Sequence, residues 1–166
     1  MAGLMIQLIG VLEEHAGLCE TLVSLGTQKK DCIIKNDVDA LRKITVQENT
    51  AVGRIQRVER MRVELVNDIA GVLNENAAEL TLSRLAEIIK EQAEHPDFVQ
   101  ASARLKTAIE ALQNLNEHNK LLLQNALEYI DFNINLIKST YSGDQTGYMP
   151  DGNEAPGSRS FLDVKN

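Results

Sequence analysis

Between Leu4 and Cys32 one run of residues recurs at alternating steps of four and three. It comprises Leu4, Leu8, Val11, His15, Leu18, Leu22, Leu25 and Cys32, with a break at the Lys29 step. That spacing belongs to one face of an α-helix that packs lengthwise against another helix, and no strand can use it. A second seam follows: Leu41, Ile44, Glu48, Ala51, Ile55, Val58, Arg62, Leu65, Ile69 and Val72. Glu48 and Arg62 interrupt it. Each is either a register device that needs a polar partner on a neighbouring helix or an edge residue whose charge snorkels to water, and the second reading is slightly favoured. The three prolines stand at positions 96, 150 and 156, so both seams lie in a stretch without the strongest helix breaker.

Local signals divide the chain. Asn36 suits a left-handed position closing the first helix, and Asp37 suits the cap of the second. The segment NENAAELT (74–81) reads as a loop, with Thr81 capping a short helix over 82–94. Pro96 fits the first position of a last helix running to about Thr140, roughly 65 Å long. The expected fold is all-α: an elongated antiparallel bundle of three long helices plus one short helix over residues 1–140. Residues 141–166 are rich in Gly, Ser, Asp, Pro and Asn and are expected to form a disordered tail. Tyr148-Met149 and Phe161-Leu162 are its apolar specks. Aromatics are 4% of the chain and Trp is absent, so the core must be aliphatic.

A net charge of −7 repels phosphate backbones and argues against a nucleic-acid partner. The densest basic cluster, Arg54, Arg57, Arg60 and Arg62, is interleaved with Glu59 and Glu64 and reads as a solvated helix face. Cys19 and Cys32 on one helix are about 20 Å apart, too far for a disulfide, and read as buried thiols in a reducing compartment. The N-terminus has no basic region or cleavage site of a signal peptide, and no run reaches the length of a membrane span. A soluble, cytoplasmic protein is expected. Residues three before His15, His95 and His118 are Leu12, Gln92 and Leu115, so the Glu-x-x-His motif of di-iron bundles is absent. No phosphate loop, nucleophile elbow or paired-cysteine motif occurs either. Neither enzyme activity, nor a metal, nor a cofactor is expected, and His15 on its seam reads as a satisfied core residue.

The last helix is unusual. On a wheel of 100° per residue, Leu105, Ile109, Leu112, Leu123, Leu127, Ile130, Ile134 and Ile137 form a first face, fit to pack against the other helices. Asn116 and Asn119 interrupt that face and are expected to set register. Leu115, Leu121, Leu122, Tyr129, Phe132 and Leu136 form a second apolar flank, beside only a narrow polar strip. Apolar directions spanning about 240° exceed the stripe of a helix that faces water on one side. The helix is either covered completely by its neighbours, the short helix included, or presents the flank to a partner helix.

At this point the chain resembles the FlgN family of flagellar export chaperones. Leu115-Asn116-Glu117-His118-Asn119 followed by Leu122-Leu123 is similar to the family's Leu-Asn-x-His-Asn-x-x-Leu-Leu. Tyr148-Met149-Pro150-Asp151-Gly152 is similar to its Tyr-x-x-Asp-Gly element, and Ile44-Thr45 and Val58-Glu59-x-x-Arg62 are weaker echoes. The resemblance implies a cytoplasmic, non-enzymatic chaperone for hook–filament junction proteins of the FlgK and FlgL type. It implies that the last helix binds an amphipathic C-terminal helix of the cargo, here through Leu115, Asn119, Leu122, Tyr129, Phe132 and Leu136. It further implies that Tyr148, with Asp151 and Gly152, docks to a membrane export-gate component. The alternative is a structural coiled-coil protein that self-associates through the same helix. A cargo-free chaperone could form a homodimer as well.

Overall fold

The structure, a computed structural model, describes residues 1–143, with side chains through Ser139. Four helices make it up: α1 (Ala2–Lys35), α2 (Val38–Leu73), α3 (Leu82–Ile88) and α4 (His95–Gly143). Among the described residues there is no strand. The chain divides into two compact units, Met1–Glu128 and the segment from Tyr129 on. The expected tail, with Tyr148, Asp151 and Gly152, lies almost wholly outside the described residues.

The helix boundaries follow local chemistry. Asn36 adopts the left-handed conformation (φ 54°, ψ 33°) that closes α1. Its neighbour Asp37 then caps α2, its carboxylate accepting the Ala40 amide at 3.0 Å. Such a cap stabilises a helix by about 1 kcal/mol. Asn74 repeats the left-handed closure at the end of α2. Thr81 caps α3 by accepting the Arg84 amide at 3.1 Å. The short helix is shorter than expected, ending at Ile88 rather than continuing to 94. Ile89 is fully buried, and beyond it the chain turns through residues 90–94 so that α4 can start at His95. Pro96 sits in the first turn of α4, where its missing amide hydrogen costs nothing.

In the first unit α1 and α2 are antiparallel, joined by the two-residue turn at 36–37. Glu14 meets Arg54, His15 approaches Glu59, and Lys29 meets Glu48. Helix α4 runs parallel to α1, since Glu20 pairs with Arg104 and Gly26 further along bonds Asn119. Helix α1 is therefore central. One of its rows (Leu8, Val11, Leu18) follows the expected seam, while Met5, Leu12, Ala16 and Cys19 are also buried. Phe98 of α4 and Leu85 and Ile89 of the α3 region close the same core.

The two charged breaks of the α2 seam have different kinds of partner. Glu48 accepts from Lys29 Nζ at 2.7 Å, with both side chains largely shielded, so it has the cross-helix partner of a register device. Lys29 is itself the break in the α1 seam. Arg62 instead holds Glu59 on its own helix through two hydrogen bonds, at 2.6 and 2.8 Å. Val72, expected on the seam, is exposed, and Val66, Ala70 and Leu73 turn inward instead. His15 is buried, but its Nδ1 has no hydrogen-bond partner and stands 3.8 Å from Glu59. Burial holds its pKa below the ordinary value and Arg62 adds to this, while Glu59 opposes both.

The packing edge of α4 is a heptad row: Phe98, Leu105, Leu112, Asn119 and Ala126, flanked by Ala101, Ala108, Leu115 and Leu122. A seven-residue repeat drifts about 20° per heptad on a wheel drawn at 100° per residue. Over the three heptads from Phe98 to Asn119 the true face has turned by about 60°. That drift corrects two expectations. Asn116 is exposed and does not interrupt the packing face, whereas Asn119 is buried in it. Leu127, Ile130, Ile134 and Ile137, expected to pack against the other helices, are exposed.

Candidate partner-binding surface on the last helix

The site begins where α4 clasps α1. Asn119 donates from Nδ2 to the Gly26 carbonyl at 2.8 Å, in a buried setting. Four residues earlier, one helical turn away, Leu115 lies directly over Gly26. A Cβ built on that glycine would stand 2.8 Å from Leu115 Cδ2 and 3.3 Å from its Cγ. Only a glycine lets the two helices approach this closely. The Oδ1 of Asn119 is buried with no partner, so half of this amide is spent on the cross-helix bond and half is left unsatisfied. The sequence motif that begins at Leu115 and ends at Asn119 thus has two members touching α1. Between them Asn116, Glu117 and His118 face solvent.

The six residues expected to bind cargo are therefore not all alike. Leu115 is half-buried over Gly26 and Asn119 is buried against it. Leu122 is half-buried. Tyr129, Phe132 and Leu136, all in the second unit, are exposed. Helix α3 lies beside the first turns of α4: Leu82, Ser83 and Ala86 line a shallow cleft with Phe98, Val99 and Ser102, and the cleft ends at Lys106. That is well short of Leu115, so the lining of this cleft does not include the flank.

Among the described residues full burial on α4 ends at Asn119. Gly26 is nine residues from the end of α1 at Lys35, and nine residues beyond Asn119 is Glu128, where the first unit ends. Past that point α4 keeps its apolar residues. Ile130, Ile134 and Ile137 continue the four–three spacing begun at Leu123 and Leu127, and Tyr129, Phe132 and Leu136 form a second row. These six side chains in the second unit are 43% to 66% exposed. Scattered exposed leucines are ordinary on a protein surface, but two aligned rows are not. Sequence reasoning missed Gly26 altogether, although a glycine within a helix three residues before a seam break was the available signal. It also assigned the Leu127–Ile137 row to internal packing.

Among the described residues no group of three or more His, Cys, Asp or Glu side chains could hold a metal ion. No helix there is long and apolar enough to cross a membrane. What the fold presents is a helical bundle with an open apolar last helix. The FlgN protein family model matches residues 1–156, and the chain belongs to that family, whose members are chaperones of flagellar assembly and export. No curated protein and no solved structure matches the chain.

Proposed function

We propose that this protein is a cytoplasmic export chaperone that binds the C-terminal amphipathic helix of hook–filament junction proteins. In this reading it prevents their premature assembly and delivers them to a membrane export-gate component. The observation that carries the reading is the pair of exposed apolar rows on α4, in a chain that belongs to the FlgN family. An amphipathic helix laid along Tyr129, Phe132 and Leu136 would bury its own apolar face and theirs together. Leu115 and Asn119 act on the α1 side, fixing the helix that carries the rows, and Leu122 lies between the two roles. Exposed Asn116 takes no part in the internal register, which falls to Asn119. Tyr148, Asp151 and Gly152 serve export-gate docking, a role separable from cargo binding.

Calorimetry with a junction-protein C-terminal peptide tests this. Tyr129→Glu with Phe132→Glu should abolish binding without changing helix content, because both side chains are exposed. Unchanged binding by that variant, or no binding by the native chain, refutes the reading. Tyr148→Ala should retain peptide binding and lose secretion.

The Leu123–Ile137 row also has the spacing of a coiled-coil seam, which favours a second reading, self-association through α4. Light scattering over a dilution series separates the two: a dimer that persists at nanomolar concentration and ignores the peptide supports the structural role.

A further inference from the structure

We propose that the stretch Arg159–Lys165 of this same chain folds back onto the exposed Tyr129–Phe132 row of α4 and competes there with cargo. The inference rests on the reading of that row as the cargo surface. The family match ends at residue 156, so the stretch is additional to what family membership covers.

Three observations single out this occupant. The first is composition. Phe161, Leu162 and Val164 are the densest apolar cluster after α4; Asp163 lies among them, but Arg159 and Lys165 flank them and leave the stretch 159–165 with one net positive charge. The other apolar pair, Tyr148-Met149, lies between Asp144 and Asp151. In a chain of net charge −7, with Asp131 beside Phe132 on α4, only the basic-flanked cluster is attracted.

The second is reach. Phe132 lies eleven residues before the end of α4 at Gly143, about 17 Å along the helix. Eighteen residues separate Gly143 from Phe161, and a coil of that length has a root-mean-square span of about 23 Å. A tether whose average span is close to the distance it must bridge gives an effective concentration in the millimolar range. Tyr148, five residues past Gly143, could cover about 17 Å only if fully extended, with nothing left for the reversal.

The third is the surface itself. The row is apolar and exposed, and α4 runs on from it without a break to Gly143, where the tether begins. The apolar contact supplies the attraction, the short tether makes it intramolecular, and cargo must displace it. A row covered nine-tenths of the time would weaken cargo binding about tenfold.

The chain has no tryptophan, so Phe132→Trp in the full chain is a unique emitter. Its fluorescence should shift to longer wavelength when Phe161→Glu and Leu162→Glu are added, and the shift should be the same at every protein concentration. Tyr129→Trp is the parallel reporter. Without the tryptophan, the Phe161→Glu/Leu162→Glu chain should bind a junction-protein C-terminal peptide about tenfold more tightly than the native chain. Emission unaffected by the two substitutions in both reporters overturns the proposal. So does a shift that disappears on dilution, because the cover is then a second copy. A concentration-independent shift in a chain that binds no peptide sustains the tail contact while refuting the cargo reading.

Discussion

Replacing Gly26 by alanine should destabilise a helix that alanine ordinarily favours. In an unobstructed helix interior, Gly→Ala contributes about 0.5–1 kcal/mol of stability. Gly10 and Gly53 are such positions, since a methyl group there would meet nothing within 4 Å. At Gly26 the same methyl would lie 2.8 Å from Leu115 Cδ2, 3.3 Å from Cγ and 3.6 Å from Asn119 Nδ2. A leucine tip can rotate away about χ2, but its Cγ can move only if χ1 changes rotamer or α4 shifts. Overpacking of this kind costs about 1–3 kcal/mol. A shift of α4 also stretches the 2.8 Å bond from Asn119 to the Gly26 carbonyl, worth about 1 kcal/mol net. Asn119 would then hold a buried amide without partners at either end, since its Oδ1 already has none. Set against the propensity gain, the net loss is about 1–3 kcal/mol. In urea, followed by circular dichroism, that lowers the midpoint by about 1 M, while Gly10→Ala and Gly53→Ala raise it slightly. Adding Leu115→Ala to Gly26→Ala should recover part of the loss, with a coupling energy of about 1–2 kcal/mol in the double-mutant cycle. If Gly26→Ala stabilises as much as Gly10→Ala, the close approach of α1 and α4 at this point is wrong.

Other perturbations probe the remaining contacts. Glu48→Leu should lower the unfolding midpoint by leaving Lys29 shielded without its partner, and Lys29→Met in the same chain should restore it, because a matched apolar pair replaces a matched charged one. Burial lowers the His15 pKa on folding, so the unfolded chain takes up the proton first. The histidine contribution to stability is therefore fully present above its ordinary value of 6.5 and is lost as pH falls from there through the lower folded value. Glu59, held low chiefly by its hydrogen bonds from Arg62, contributes above its ordinary value of 4.5 and loses that contribution on further acidification. Thermal melts of His15→Gln should lack the first of these two declines and keep the second. A thiol reagent should label half-buried Cys32 well before Cys19, whose thiol is buried and pushed up in pKa by that burial, and equal rates would contradict the packing of α1.

Much of the architecture could be read from the sequence because it is local. Asn36, Asp37 and Thr81 act on amides within a few residues of themselves, so their caps need no knowledge of the rest of the fold. The two long seams likewise need only the helical period. The breaks at Lys29 and Glu48 were both visible in the sequence, but their pairing was not, because it depends on how far α1 and α2 are offset across the turn. The family, too, could be recognised from the Leu115–Asn119 motif, while the motif's physical role could not. Two of its five residues reach across to a glycine 93 positions from Asn119.

The sequence by itself determined that the chain is helical, where three of its helices begin, and that its last helix carries more apolar surface than one packing face needs. The tertiary structure decided which of that surface is covered. A wheel drawn at a constant angle cannot follow a packing seam that drifts with each heptad, so it placed Asn116 inside and Ile130 against a neighbour. Among the described residues Asn119, bonded to Gly26, is the last fully buried position of α4. Beyond it the isoleucines and aromatics of α4 are left exposed, because burial depends on which neighbours a side chain meets as well as on the residues that seek cover.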